Sequence, residues 1–139
     1  MRSMPTTPGK SRILIADDRP SSRELLRLVL ERAGYAVVEA EDGREAVEVA
    51  RSQGPDLILL DLQMPVLDGY GVLAALRNET RFQDLPVLAL TASAMRGDRE
   101  KILGAGFTDY LAKPAGPDVV REAVARLLGE SAKDAGRTA

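Results

Sequence analysis

Three acids, a hydroxyl and a lysine stand where apolar runs of this sequence end. Ile13 to Ala16 runs into Asp17 and Asp18, Leu57 to Leu60 into Asp61, and Val87 to Leu90 into Thr91; Lys113, followed by Pro114, comes just after Phe107 to Leu111. Taken singly, each has an ordinary use. Asp17 or Asp18 can cap a helix, Asp61 can open a loop that Pro65 continues, Thr91 can end a strand, and Lys113 can sit in water. Brought together they cannot be neutral bystanders. Two carboxylates about 4 Å apart at an effective dielectric near 20 repel by about 4 kcal/mol, and a third adds to that. A divalent cation offsets the repulsion, and oxygen-only ligands select magnesium. A lysine opposite the metal suits the spare oxygens of a phosphoryl group. A carboxylate between the two becomes a nucleophile able to accept that group.

Convergence requires elements that carry the five residues to one rim. Apolar runs at Arg12–Ala16, Tyr35–Ala40, Asp56–Leu60, Pro86–Thr91 and Phe107–Leu111 read as strands, spaced by the length of a strand plus a crossover helix. The intervening segments have helical spacing. One helix spans about Ser21 to Ala33 and stops at Gly34; another spans Asp42 to Gly54-Pro55; a third begins at Asp68. In the last, Val119, Val120, Ala123, Val124, Leu127 and Leu128 make one apolar stripe. Alternating strands and helices give an α/β fold, a (βα)5 doubly wound parallel sheet of flavodoxin-like type. The first, third and fourth strands are continuously apolar, as strands covered on both faces are; the second and fifth carry polar residues and take the edges. The order is then 2-1-3-4-5. In such sheets the site lies beyond the carboxyl ends of the central strands.

Composition removes competing chemistries. The chain has 139 residues, no cysteine and no histidine. It therefore lacks a thiolate nucleophile, a soft metal site, the usual general base and any imidazole to carry phosphate. Its formal net charge of −2 provides no general basic field for nucleic acid or an anionic membrane, and no apolar run approaches a membrane span. No secretory signal pattern opens the chain, so a cytoplasmic location is expected. One domain is expected over 11–130, with polar tails at 1–10 and 131–139.

Together Ile13-Leu-Ile-Ala-Asp-Asp18, Leu57-Ile-Leu-Leu-Asp-Leu-Gln-Met-Pro65 with Asp68-Gly69, Leu90-Thr-Ala92 and Asp109-Tyr-Leu-Ala-Lys-Pro114 resemble the receiver domain of two-component response regulators. The resemblance covers about Ser11 to Leu128. Thr91 to Asp98 looks like the subgroup of single-domain cell-cycle regulators and hybrid-kinase receivers.

The resemblance implies that Asp61 takes a phosphoryl group from a phosphohistidine on a sensor histidine kinase or histidine phosphotransfer protein. Asp17, Asp18, Asp61 and the backbone carbonyl of Gln63 would hold Mg²⁺. Lys113 would grip a phosphoryl oxygen, and Thr91 would move toward another. Small Ala92 would leave the donor room, Tyr110 would change its exposure with Thr91, and the bond before Pro114 would be cis. Output would pass through the face of helix four, strand five and helix five to a protein target, in a monomer or weak dimer. Neither Gln63 nor Ser93 is an acid, so no carboxylate positions water for rapid hydrolysis of the phosphoryl group. The other reading is a degenerate receiver that binds a partner constitutively. A flavin carrier is disfavoured because Asp17-Asp18 would repel its phosphate, and an aspartyl phosphatase because its acid pair is spaced by one residue.

Overall fold

The computed structural model describes residues 10–92 and 96–129. Apart from Lys10, the tails lie outside that range, as does Ser93. In chain order the elements are β1 Arg12–Ala16, α1 Pro20–Arg32, β2 Ala36–Ala40, α2 Gly43–Gln53 and β3 Leu57–Asp61. They continue with α3 Gly69–Arg77, a 3₁₀ turn Thr80–Phe82, β4 Val87–Thr91, α4 Arg96–Gly104, β5 Asp109–Ala112 and α5 Pro117–Leu127. The five strands form one sheet in the order β2-β1-β3-β4-β5, all pairs parallel. Polar-bearing β2 and β5 are its edges, as their composition requires.

Strand alternation divides the core in two. Leu14, Ala16, Ile58, Leu60, Val87 and Ala89 pack with residues of α2, α3 and α4. Ile13, Ile15, Leu57, Leu59, Leu88 and Leu90 face α1 and α5. Local signals set the helix limits. Asp42 Oδ1 accepts the Glu45 amide at 2.8 Å and Glu45 Oε1 accepts the Glu41 amide at 2.7 Å, a reciprocal cap at the start of α2. Asp68 Oδ1 accepts the Gly71 amide at 2.9 Å to open α3.

Strand five starts later than its sequence pattern suggests, at Asp109 rather than Phe107. The Phe107 ring is buried in the α2–α3–α4 core and meets Tyr70 edge-on at 5.6 Å. Thr108 then ties in with its side chain: its Oγ1 accepts the Val87 amide at 3.0 Å.

The β3–α3 loop holds a residue that its sequence does not flag. Val66 has φ 72° and is 75% exposed, and the Leu67 amide bonds to the Pro65 carbonyl at 2.8 Å across it. This three-residue turn of the rarer sign is strained, most of all for a β-branched side chain. Val66→Asn, which tolerates left-handed backbone and gives up almost no buried surface, should stabilise the fold by about 0.5–1 kcal/mol. The check is a higher urea midpoint at unchanged slope.

Candidate functional site

The same alternation aims the chemistry. Asp17 continues the Ile13–Ile15 side of β1 and Asp61 the Leu57–Leu59 side of β3, so both acids lean toward α1 and α5. Lys113 follows Leu111 with the same parity. Thr91 continues the opposite side, that of Val87 and Ala89, and Tyr110 shares it. Because Ala89 pairs with Tyr110 and Thr91 with Ala112, Thr91 and Tyr110 are diagonal neighbours on one face of adjacent strands.

The acids do converge. Carboxylate oxygens of Asp17, Asp18 and Asp61 lie within 4.8 Å of one another. Asp17 and Asp61 are buried and Asp18 is exposed, so a cation could be reached from solvent on one side and held from within on the other. An all-oxygen, open-sided set of this kind fits a hard ion that keeps part of its water, as Mg²⁺ does. Lys113 Nζ lies 3.0 Å from Asp17 Oδ2 and 3.2 Å from Asp61 Oδ2. Its ammonium therefore bridges two acids. The Lys113–Pro114 peptide is cis.

Burial and partners set different proton affinities for the two inner acids. Burial alone raises the Asp17 carboxyl, but the Arg19 amide at 2.9 Å, the Ser22 hydroxyl at 2.7 Å and Lys113 favour its anion and leave it below the usual aspartate range. Asp61 is also pushed up by burial. The Gln63 amide at 3.0 Å and Lys113 pull it down, but Asp17's charge pushes it up again, and it ends above the usual range. Lys113 is lowered by burial and raised more by its two carboxylates, so it stays charged.

The other expected residues have definite places. Gln63 and Ala92 line, with Asp18, Asp61, Lys113 and Pro114, a groove of about 650 Å³. Thr91 is buried at the end of β4, and the Lys113 amide donates to its carbonyl at 2.7 Å. Tyr110 is half-buried and packs against the α2–α3–α4 core.

Two further residues escaped the sequence reading. Ser22 bonds to Asp17, and Arg23 donates to the Asp17 carbonyl at 2.7 Å and to Glu39 Oε1 at 3.2 Å, joining the acidic turn to α1 and β2. The available signal was position: a helix that starts behind Asp17-Asp18 returns its first full turn to those acids.

A profile of the response regulator receiver domain matches residues 13–125. The polar-differentiation response regulator DivK of Brucella anthropi is 34% identical over 119 residues, covering 86% of this chain and 97% of that protein. A probable transcriptional regulator, ycf27, of Porphyridium aerugineum is 40% identical, again over 86% of this chain but only 48% of its own. The chain spans about half the length of several curated relatives of that kind. Among solved structures, the receiver domain of a Pseudomonas aeruginosa sensor histidine kinase has a magnesium ion coordinated in its active site cleft. It superposes with a TM-score of 0.80 at 38% identity, covering 87% of this chain and 99% of that one. A response regulator structure from Chloroflexus aurantiacus gives 0.82 at 35% identity, covering 86% and 98%. Five parallel strands in this order, an acid triad with a bridging lysine and these matches agree: the chain belongs to the response regulator receiver domain family of two-component signalling.

Proposed function

We propose that this receiver is a working phosphoacceptor, with Asp61 taking the phosphoryl group of a phosphohistidine on a sensor histidine kinase or histidine phosphotransfer protein. The observation that carries the reading is Lys113 within 3.2 Å of both Asp17 and Asp61 while three carboxylates share one open-sided cluster. A constitutive binding module has no use for that concentration of buried charge.

Asp17, Asp18, Asp61 and the Gln63 carbonyl would hold Mg²⁺, which supplies positive charge for acidic and phosphoryl oxygens. An Asp61 oxygen attacks phosphorus, the bond to the donor nitrogen breaks, and the imidazole leaves with its electron pair. Lys113 pairs with one phosphoryl oxygen, and Thr91 moves to give its hydroxyl to another. Ala92, at the groove wall, leaves the donor room. As Thr91 moves, the space beside its diagonal neighbour Tyr110 changes, which biases the packing of α4, β5 and α5 toward a partner-binding form. The neighbours that are receiver domains of sensor kinases support a kinase or phosphotransfer partner.

Acetyl phosphate with Mg²⁺ should add the mass of one phosphoryl group to the intact chain, and excess EDTA should prevent it. No mass gain at millimolar Mg²⁺ would leave the constitutive module as the better reading.

A further inference from the structure

Of the cationic side chains lining the groove, one is already engaged. Lys113 is held by Asp17 and Asp61. Arg19 lines the same groove, is exposed, and its guanidinium makes no hydrogen bond or ion pair with another described residue. Its backbone is fixed nonetheless. Arg19 is the N-cap residue of α1, its amide is bonded to Asp17 Oδ1 at 2.9 Å, and Pro20 follows it. A firmly placed backbone thus presents an uncommitted planar cation at the groove whose wall holds Asp61.

We infer that Arg19 is a specificity-determining residue that favours phosphodonors with a carboxylate leaving group, the acyl phosphates, over donors that phosphorylate from nitrogen. The inference rests on Asp61 being the acceptor.

The chemistry separates the donor classes. With acetyl phosphate, an Asp61 oxygen bonds to phosphorus while the bridging P–O bond breaks. The electron pair goes to acetate, so negative charge grows on a carboxylate as it departs into the groove. A guanidinium fork matches that group with two parallel N–H donors, and the match improves as charge develops. With phosphoramidate, the P–N bond breaks and the nitrogen, already protonated, leaves as neutral ammonia. The fork has no anion to receive. Histidine-linked phosphate resembles the second case, because its imidazole leaves without negative charge.

The test measures initial rates of labelling of the 139-residue chain in Mg²⁺ with acetyl phosphate and, separately, phosphoramidate. For Arg19→Ala the ratio of the acetyl phosphate rate to the phosphoramidate rate should fall about tenfold, as expected for one charge-assisted contact in a solvated groove. The loss should lie in the maximal rate more than in the half-saturating concentration, since the contact strengthens in the transition state. Arg19→Lys, which keeps the charge, should recover much of the ratio. A ratio unchanged within about twofold, or an equal fall with both donors, overturns the inference, since a solvated surface arginine or a general field effect would do either. Wild-type chain labelled by neither donor overturns the Asp61 reading and this inference with it.

Discussion

Asp61→Asn takes up no phosphoryl group from acetyl phosphate and, in metal-free buffer at neutral pH, melts above the wild type. The first half follows from replacing the nucleophilic carboxylate with an amide; intact mass checks it, and labelling at the wild-type level would move the acceptor elsewhere. The second half follows from the site's electrostatics. Burial and the neighbouring Asp17 hold the Asp61 carboxyl above its ordinary range in spite of Lys113. An acid raised in the folded state contributes stability that is complete below its unfolded value and lost as pH climbs through the folded one. Above its raised folded value the wild type bears that loss, and Asn does not. Lys113 keeps Asp17 at 3.0 Å, so no ammonium is stranded. The gain should be about 1 kcal/mol, roughly 3–5 °C in Tm for a chain of this size. It should shrink toward acid pH as wild-type Asp61 protonates. A variant melting below wild type across that range would show that the Lys113 pair outweighs the burial penalty.

Lys113→Met should separate two roles of one ammonium. Without it, Asp17 and Asp61 lose their shared counter-charge, and the metal-free fold should lose about 2 kcal/mol, less than for a fully buried pair because Lys113 is partly exposed. Lysine's own contribution persists below its ordinary pKa and fades only as pH rises through its raised folded value, so the deficit should be present at neutral pH. Mg²⁺ and the ammonium compete for the same oxygens, so the variant should bind Mg²⁺ more tightly. A titration followed by thermal shift should show the deficit closing as metal is added. Labelling by acetyl phosphate should nonetheless fall about 10²–10³-fold, the scale of losing one charged partner of the transferred group. Unchanged labelling would remove Lys113 from the chemistry.

How much of this was legible beforehand depends on what local pattern can encode. The sheet and its order were readable because β1, β3 and β4 are unbroken apolar runs while Glu39 and Asp109 mark the edge strands. The acid triad was readable because the β1 run leads into Asp17 and Asp18 and the β3 run into Asp61, and parallel strands put such ends on one rim. Contacts made across the fold were not readable. Nothing near Lys113 in sequence shows that it spans two carboxylates from other strands. Nor does Arg23 advertise its bond to the Asp17 carbonyl. The start of β5 was misplaced because Phe107 satisfies a strand pattern but its ring is drawn into the core beside Tyr70. Val66 ran against propensity outright, since a β-branched residue is among the last expected at positive φ.

The hydrogen bond from the Lys113 amide to the Thr91 carbonyl, 2.7 Å long, joins the two residues assigned to the phosphoryl oxygens through their main chains. If both answer the incoming charge as proposed, this link would make them do so in tandem rather than one at a time. A tug on either peptide is felt by the other, which makes an intermediate grip, with lysine engaged and threonine idle, costly to sustain. Under the proposed function, a link of this kind would favour all-or-none behaviour before any partner arrives.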